Sequence, residues 1–299
     1  MLNRRSLIIG TAALMLLPKH ALSSPTHRPI IYKWGSSFGG NDWCFVRLPA
    51  NYRWAGPPHR LAVLNHGNGW IMDGTEAKAN FSEKTQFGVD KQRNGIYLLS
   101  ARPDYRKYSN PLIEHLLAMG FVVAGAQNDG QHYGHGSAGY GNLETAKNIA
   151  SFTNHLKHRL NVEERVHFFA ASNGAIGSLN ALRFMPIGSV ESMTLFYPLI
   201  NLDYAAKVSH PSQVANAYHG KSMNGHDPLN DDFNAPLPPI LCFYSSEDTV
   251  TPAKIHWLPF SEKLKKLGIE SRGIQVTGQH GSWPHLDQTS AITSWLNQP

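Results

Sequence analysis

The chain changes hydrophobic period repeatedly between residues 111 and 296. Short, mostly apolar runs at 121–124, 166–170, 193–196 and 240–244, with a further one at 272–275, predict strands. Between them, apolar residues at helical spacing predict helices over 111–119, 143–160, 175–182, 257–267 and 286–296. The first of these helices has Asn110 as its cap, Pro111 at its first position and Gly120 at its end. Upstream, β-rich runs at 30–34 and 42–48 flank a glycine-rich turn and predict an antiparallel hairpin at a sheet edge. A third, wholly apolar strand follows at 61–64. Strands alternating with amphipathic helices imply the α/β class, a mostly parallel central sheet with helices on both faces. Two stretches, 70–110 and 200–235, lack periodicity and are expected to be irregular insertions, long enough to serve as a lid or binding loop.

In such a sheet the ligand crevice lies beyond the carboxyl ends of the strands, so chemistry-bearing residues belong just after apolar runs. Four stretches meet that condition. Ala170-Ala171-Ser172-Asn173-Gly174 joins the 166–170 strand to the 175–182 helix. A serine in so sharp a turn needs small residues two positions either side, here Ala170 and Gly174, and this is the steric signature of a nucleophile elbow. The competing reading is an ordinary N-cap, which serine also favours. Asp248 follows the strand at 240–244, in Asp248-Thr249-Val250-Thr251-Pro252, where a carboxylate can orient an imidazole and stabilise it when charged. Glu247 is its neighbouring rival. His280, in Gly278-Gln279-His280-Gly281, follows the strand at 272–275 and is the candidate base, with His285 as the alternative. The fourth stretch, His66-Gly67-Asn68-Gly69, offers flexible backbone after the strand at 61–64. The N–H of Asn68, with that of Asn173 after the serine, is the expected pair of oxyanion donors.

These four motifs, in this order, resemble the α/β-hydrolase superfamily, and the resemblance runs from about Ile30 to Trp295. Within it the chain is similar to secreted esterases and prolyl-oligopeptidase-like hydrolases. It departs from the common elbow in having Ala170 in place of glycine and Asn173 after the serine. The resemblance implies a serine hydrolase with a Ser172-His280-Asp248 triad, acting on a small or polymeric carboxylic ester, or less readily an amide, through an acyl-enzyme. An acyltransferase would use the same residues, and a non-catalytic binding protein could share the fold.

Composition narrows the picture. At 41% hydrophobic and 16% charged the chain is globular in type. Its net charge of +6 comes from scattered basic residues, so no nucleic-acid partner is expected. The densest group, Lys263, Lys265 and Lys266, reads as a solvated helix face. Residues 1–23 carry Arg4-Arg5, an apolar stretch from Leu7 to Leu17 and the small-residue step Ala21-Leu22-Ser23. This predicts an export signal, of twin-arginine type or of the general route. Residues 24–299 are then expected to form a single domain, periplasmic or secreted, with no stable membrane insertion after signal removal. Cys44 and Cys242 lie in apolar runs and read as two buried thiols. No cofactor or metal is expected. His132 and His135 near Asp129 lack a third placed ligand, and His155 with His158 reads as decoration of a helix surface. Aromatic residues in 70–110, with Tyr133 and Tyr140, could line an acyl or sugar pocket, although packing is their commoner use.

Overall fold

The apolar runs assemble into one mostly parallel sheet. The computed structural model describes residues 30–35, 41–67, 111–126, 139–232, 236–280 and 288–298. In chain order the strands are β1 (Ile30–Gly35), β2 (Asn41–Arg47), β3 (His59–Asn65), β4 (Val122–Ala126), β5 (Val162–Ala171), β6 (Val190–Phe196), β7 (Ile240–Ser245) and β8 (Ser271–Val276). The longer helices are α1 (Pro111–Ala118), α2 (Leu143–Arg159), α3 (Gly174–Ala181), α4 (Pro211–Tyr218), α5 (Trp257–Lys266) and α6 (Thr289–Leu296). The sheet order is β1-β2-β4-β3-β5-β6-β7-β8. β1 and β2 form the expected antiparallel hairpin, β2 runs antiparallel to β4, and every other pair is parallel.

Side chains alternate across a strand, and here both sets are apolar. Val63, Ala124, Phe168, Leu195 and Cys242 face one side, where Phe152 of α2, Leu179 of α3 and Phe260 of α5 cover them. Leu64, Val123, Phe169, Phe196 and Phe243 face the other, under Leu116 of α1 and Trp295 of α6. Each strand is therefore clamped between two layers, and a register slip of one residue would exchange the two packed sets. Arg47 on β2, itself buried, reaches Glu114 on α1 at 2.6 Å and ties the hairpin to the second layer. α2 begins at Asn142, whose side chain accepts from the Thr145 N–H at 2.9 Å. Glu144 in its first turn and Lys157, His158 and Arg159 in its last complement the helix dipole.

Three expectations change. The 200–235 stretch is partly helical, with a turn at Leu202–Tyr204, a π turn at Ala205–Ser209 and then α4. The π turn and Pro211 break the helical period into pieces too short to register. Leu202, Ala205, Val214, Ala217 and Tyr218 pack with Tyr140 and Ile176 into a satellite cluster above α3. His155 does not decorate the surface: its ring stacks near Phe152 at 6.5 Å and lies 6.0 Å from Trp34, whereas His158 is exposed. Lys263 is not on a solvated face either. Its ammonium donates to the carbonyls of Pro228 (3.0 Å), Leu229 (3.1 Å) and Asp231 (2.6 Å), docking α5 against the 227–232 loop.

Cys44 and Cys242 are both buried and in no disulfide. They sit on β2 and β7, five strand spacings apart in the sheet order, which is about 24 Å and well beyond disulfide reach. Burial also pushes the Cys242 thiol up. A colorimetric thiol titration is therefore expected to find no fast-reacting group in the native protein and two after denaturation, whether or not a reductant was present. One equivalent or none in the denatured, unreduced protein would contradict this.

Candidate active site

The site is built around the turn that follows β5. Ser172 adopts φ +51°, in the left-handed region that a side chain rarely occupies. Such a conformation costs about 1–3 kcal/mol and persists only where its surroundings fix it. Three backbone bonds do so. The Ser172 N–H donates to Phe196 O at 2.9 Å, and the Ser172 carbonyl accepts from Ala175 N at 3.1 Å and Leu199 N at 2.9 Å. The small-residue rule of the sequence also finds its cause here. A Cβ on Gly174 would lie 2.4 Å from the carbonyl oxygens of both Asn65 and His66, at the end of β3. A Cβ on Gly67 would lie 2.9 Å from the Ser172 Cβ. The neighbouring strand end thus presses directly on the turn, and backbone atoms cannot give way as a flexible side chain can.

Asp248 follows β7 and its side chain is 1% exposed. Its Oδ1 accepts from the N–H groups of Val250 (2.8 Å) and Thr251 (2.9 Å). Its Oδ2 lies 2.8 Å from both Thr251 Oγ1 and His280 Nδ1. Burial alone would raise this carboxyl, but the hydrogen bond and charge of His280 and the Thr251 bonds outweigh it and hold the group below the usual carboxylate range. Glu247, the rival acid, is exposed, and its N–H bonds Ser245 Oγ at 3.0 Å. His280 follows β8. Its Nε2 lies 3.2 Å from Ser172 Oγ, so a hydroxyl, an imidazole and a carboxylate from three strand ends form one hydrogen-bonded line. The Tyr197 ring stands edge-on to the His280 ring, with centroids 5.7 Å apart.

Asn173 opens α3, so its N–H belongs to the first turn, where no intrahelical carbonyl can accept it. Asn68 lies outside the described residues, as do the alternative base His285, the glycine-rich loop with Asp129, His132 and His135, and segment 70–110. Among the described residues no cluster of three or more His, Cys, Asp or Glu could hold a metal ion. Around the line stand Thr251, His256 and His210, which the sequence did not single out, and Tyr140, which it offered as a pocket aromatic and which is buried in the satellite cluster. Thr251 touches both Asp248 and His280. His256 is wholly buried, and its Nδ1 accepts from the N–H groups of Ile200 (3.2 Å) and Asn201 (3.1 Å). The His210 ring lies 5.7 Å from the Tyr140 ring. Burial and then the charge of His280 hold His210 below its ordinary value. Burial pushes the Tyr140 phenol up to about 12, against an opposing pull from the Asn173 side chain. One available clue for Thr251 was its place three residues after the acid, the spacing at which a turn returns a side chain to its start.

No protein-family model and no curated protein sequence matches the chain. Solved structures do match. Thermogutta terrifontis esterase 2 superposes with a TM-score of 0.61 at 15% identity, over 90% of this chain and 93% of its own. Staphylococcus aureus S-formylglutathione hydrolase gives 0.59 at 14% identity, over 90% and 98%. Pyrococcus horikoshii acylaminoacyl peptidase gives 0.58 at 16% identity; 90% of this chain matches, spanning only 41% of that protein. The likeness establishes the α/β-hydrolase fold.

Two predictions concern stability. Burial drives His66 and His256 down from 6.5 to about 4. Both are neutral in the folded state at pH 5, where the unfolded chain has taken up protons. Their contribution is thus full above pH 6.5 and lost as pH falls to about 4, with a slope of about 1.4 kcal/mol per pH unit for each. Urea unfolding across this range is expected to show stability falling steadily toward acid; a flat profile would contradict the assignment. At the turn, Ser172→Gly is expected to be more stable than Ser172→Ala by about 1 kcal/mol, because only glycine adopts the left-handed conformation without penalty. Equal thermal midpoints would remove the strain from the account.

Proposed function

We propose that this chain is a serine hydrolase cleaving a carboxylic ester, in preference to an amide, through an acyl-enzyme. The observation that carries the reading is the line from Ser172 Oγ through His280 to Asp248, at 3.2 Å and 2.8 Å. A serine hydroxyl is a weak nucleophile until a base takes its proton, and His280 Nε2 is within reach to do so. With Nδ1–H directed at Asp248, the imidazole keeps Nε2 as its basic nitrogen, and the buried carboxylate stabilises the imidazolium that forms. The developing oxyanion is received by the Asn173 N–H at the start of α3, together with that of Asn68. His280 then protonates the leaving alcohol, and water, deprotonated in turn by His280, releases the acid.

The neighbours in fold support the class without fixing the substrate. They include an esterase, an S-formylglutathione hydrolase and an acylaminoacyl peptidase, and the first was phosphoramylated by tabun. An ester is favoured because the two that this chain matches over nearly their whole length are an esterase and an S-formylglutathione hydrolase, whereas the peptidase is more than twice as long as the matched part. The substrate is a small or polymeric ester, and the sequence pattern of residues 1–23 supports export.

A fluorophosphonate probe is expected to label the wild-type protein and not Ser172→Ala. In a panel of nitrophenyl esters and peptide anilides, the esters should turn over faster. Ser172→Ala should lose about 10⁶-fold in kcat, and Asp248→Asn about 10⁴-fold. A wild-type chain that neither labels nor hydrolyses any member of the panel would leave a binding protein on a hydrolase fold. Transfer of the acyl group to an added alcohol in preference to water would make it an acyltransferase.

A further inference from the structure

Thr251 has more polar neighbours than its single hydroxyl proton can serve. Its Oγ1 lies 2.8 Å from Asp248 Oδ2, 3.0 Å from the Tyr197 carbonyl oxygen and 3.2 Å from His280 Nδ1. The residue is 3% exposed, so bulk solvent does not reach this set. Two of the three neighbours are acceptors only. The third, Nδ1, carries a proton whenever Nε2 is the basic nitrogen. The hydroxyl can therefore donate to the carboxylate or to the Tyr197 carbonyl, but not to both.

We propose that Thr251 is a positioning residue of this site, whose hydroxyl turns between Asp248 and the Tyr197 carbonyl as His280 gains and loses charge. This rests on the hydrolase reading above. With His280 neutral, the hydroxyl donates to Asp248 Oδ2. The carboxylate then has four donors: the N–H groups of Val250 and Thr251 on Oδ1, and Thr251 Oγ1 and His280 Nδ1 on Oδ2. That arrangement fixes the carboxylate plane and keeps it ionised. When His280 takes the Ser172 proton, its positive charge repels the hydroxyl hydrogen and attracts the oxygen lone pairs. Rotation about the Cβ–Oγ bond then points the hydrogen at Tyr197 O and offers a lone pair to Nδ1–H, while Asp248 Oδ2 gives its full charge to the imidazolium. The proton stays on Thr251 throughout. Since Tyr197 follows β6 and stands edge-on to the His280 ring, the same residue that accepts the turned hydroxyl also limits the plane of the imidazole.

The stabilisation grows as charge develops, so its loss should appear in kcat and leave KM alone. Thr251→Val keeps the branched shape and the backbone N–H while removing the hydroxyl; Thr251→Ser keeps the hydroxyl and removes the methyl. On the best nitrophenyl ester of the panel, Thr251→Val is expected to lower kcat by about ten- to a hundredfold with KM unchanged, and Thr251→Ser to restore most of it. In a double-mutant cycle, Thr251→Val should cost little more once Asp248 is Asn, because the two act through the same imidazole. Wild-type kcat in Thr251→Val, a fall that Thr251→Ser does not rescue, or a full additional loss in the Asp248→Asn background would each overturn the proposal. Melting midpoints identify a Thr251→Val chain that has merely unfolded, and in that case Thr251→Ser and Thr251→Ala decide: Ser must retain activity that Ala lacks. A wild-type chain inactive on every ester would instead overturn the hydrolase reading itself.

Discussion

The arrangement depends on one close approach, that of the end of β3 to the turn after β5. Gly174 sits where any Cβ would collide with the carbonyl oxygens of Asn65 and His66, and Gly67 meets the Ser172 side chain from the same direction. The two strand ends can come so near only because the residues facing each other, Gly67 after β3 and Gly174 after β5, carry no Cβ. The approach accompanies the left-handed conformation at Ser172, which, just before α3, places its hydroxyl 3.2 Å from His280 Nε2. The conformational cost is local, but the clamp is not: it is carried by β3, β5 and β6 together, with the buried faces of the sheet behind them.

The second organising feature is the short segment after β6. Its residues reach four other parts of the structure: Tyr197 N to Phe243 O, Tyr197 O to the Thr251 hydroxyl, Leu199 N to Ser172 O, and Ile200 and Asn201 N to His256. Tyr197 itself has φ +46°. The Ser172 turn, the Asp248 loop and the start of α5 are therefore held to one piece of backbone, rather than being three loops that happen to meet. The helical stretch at 202–218 departs from the same anchor and brings His210 and Tyr218 over Tyr140.

Much of this was legible in the sequence because a parallel sheet converts position into proximity. A residue just past an apolar run lies at the carboxyl end of its strand, so Ser172, Asp248 and His280 could be expected to converge while separated by many residues in the chain. Asp248 is preferred to Glu247 in the sequence for the short step to Pro252 that the resemblance leads one to expect; in the fold Asp248 is buried and Glu247 exposed. What could not be read were contacts set by packing in three dimensions. His256 and Lys263 look in sequence like a loop histidine and a surface lysine, yet one receives two backbone N–H groups in the interior and the other fills a ring of carbonyls. The helices in 202–218 were hidden by the π turn, which shifts the apolar period before a pattern can build.

The Ser172 amide hydrogen closes the last rung between β5 and β6, bonded to Phe196 O, where both strands are buried on both faces. Its exchange with solvent deuterium should therefore require the opening of β5 from β6 and not a local fluctuation of the turn. The Ser172 turn then shares the cooperativity of the whole core.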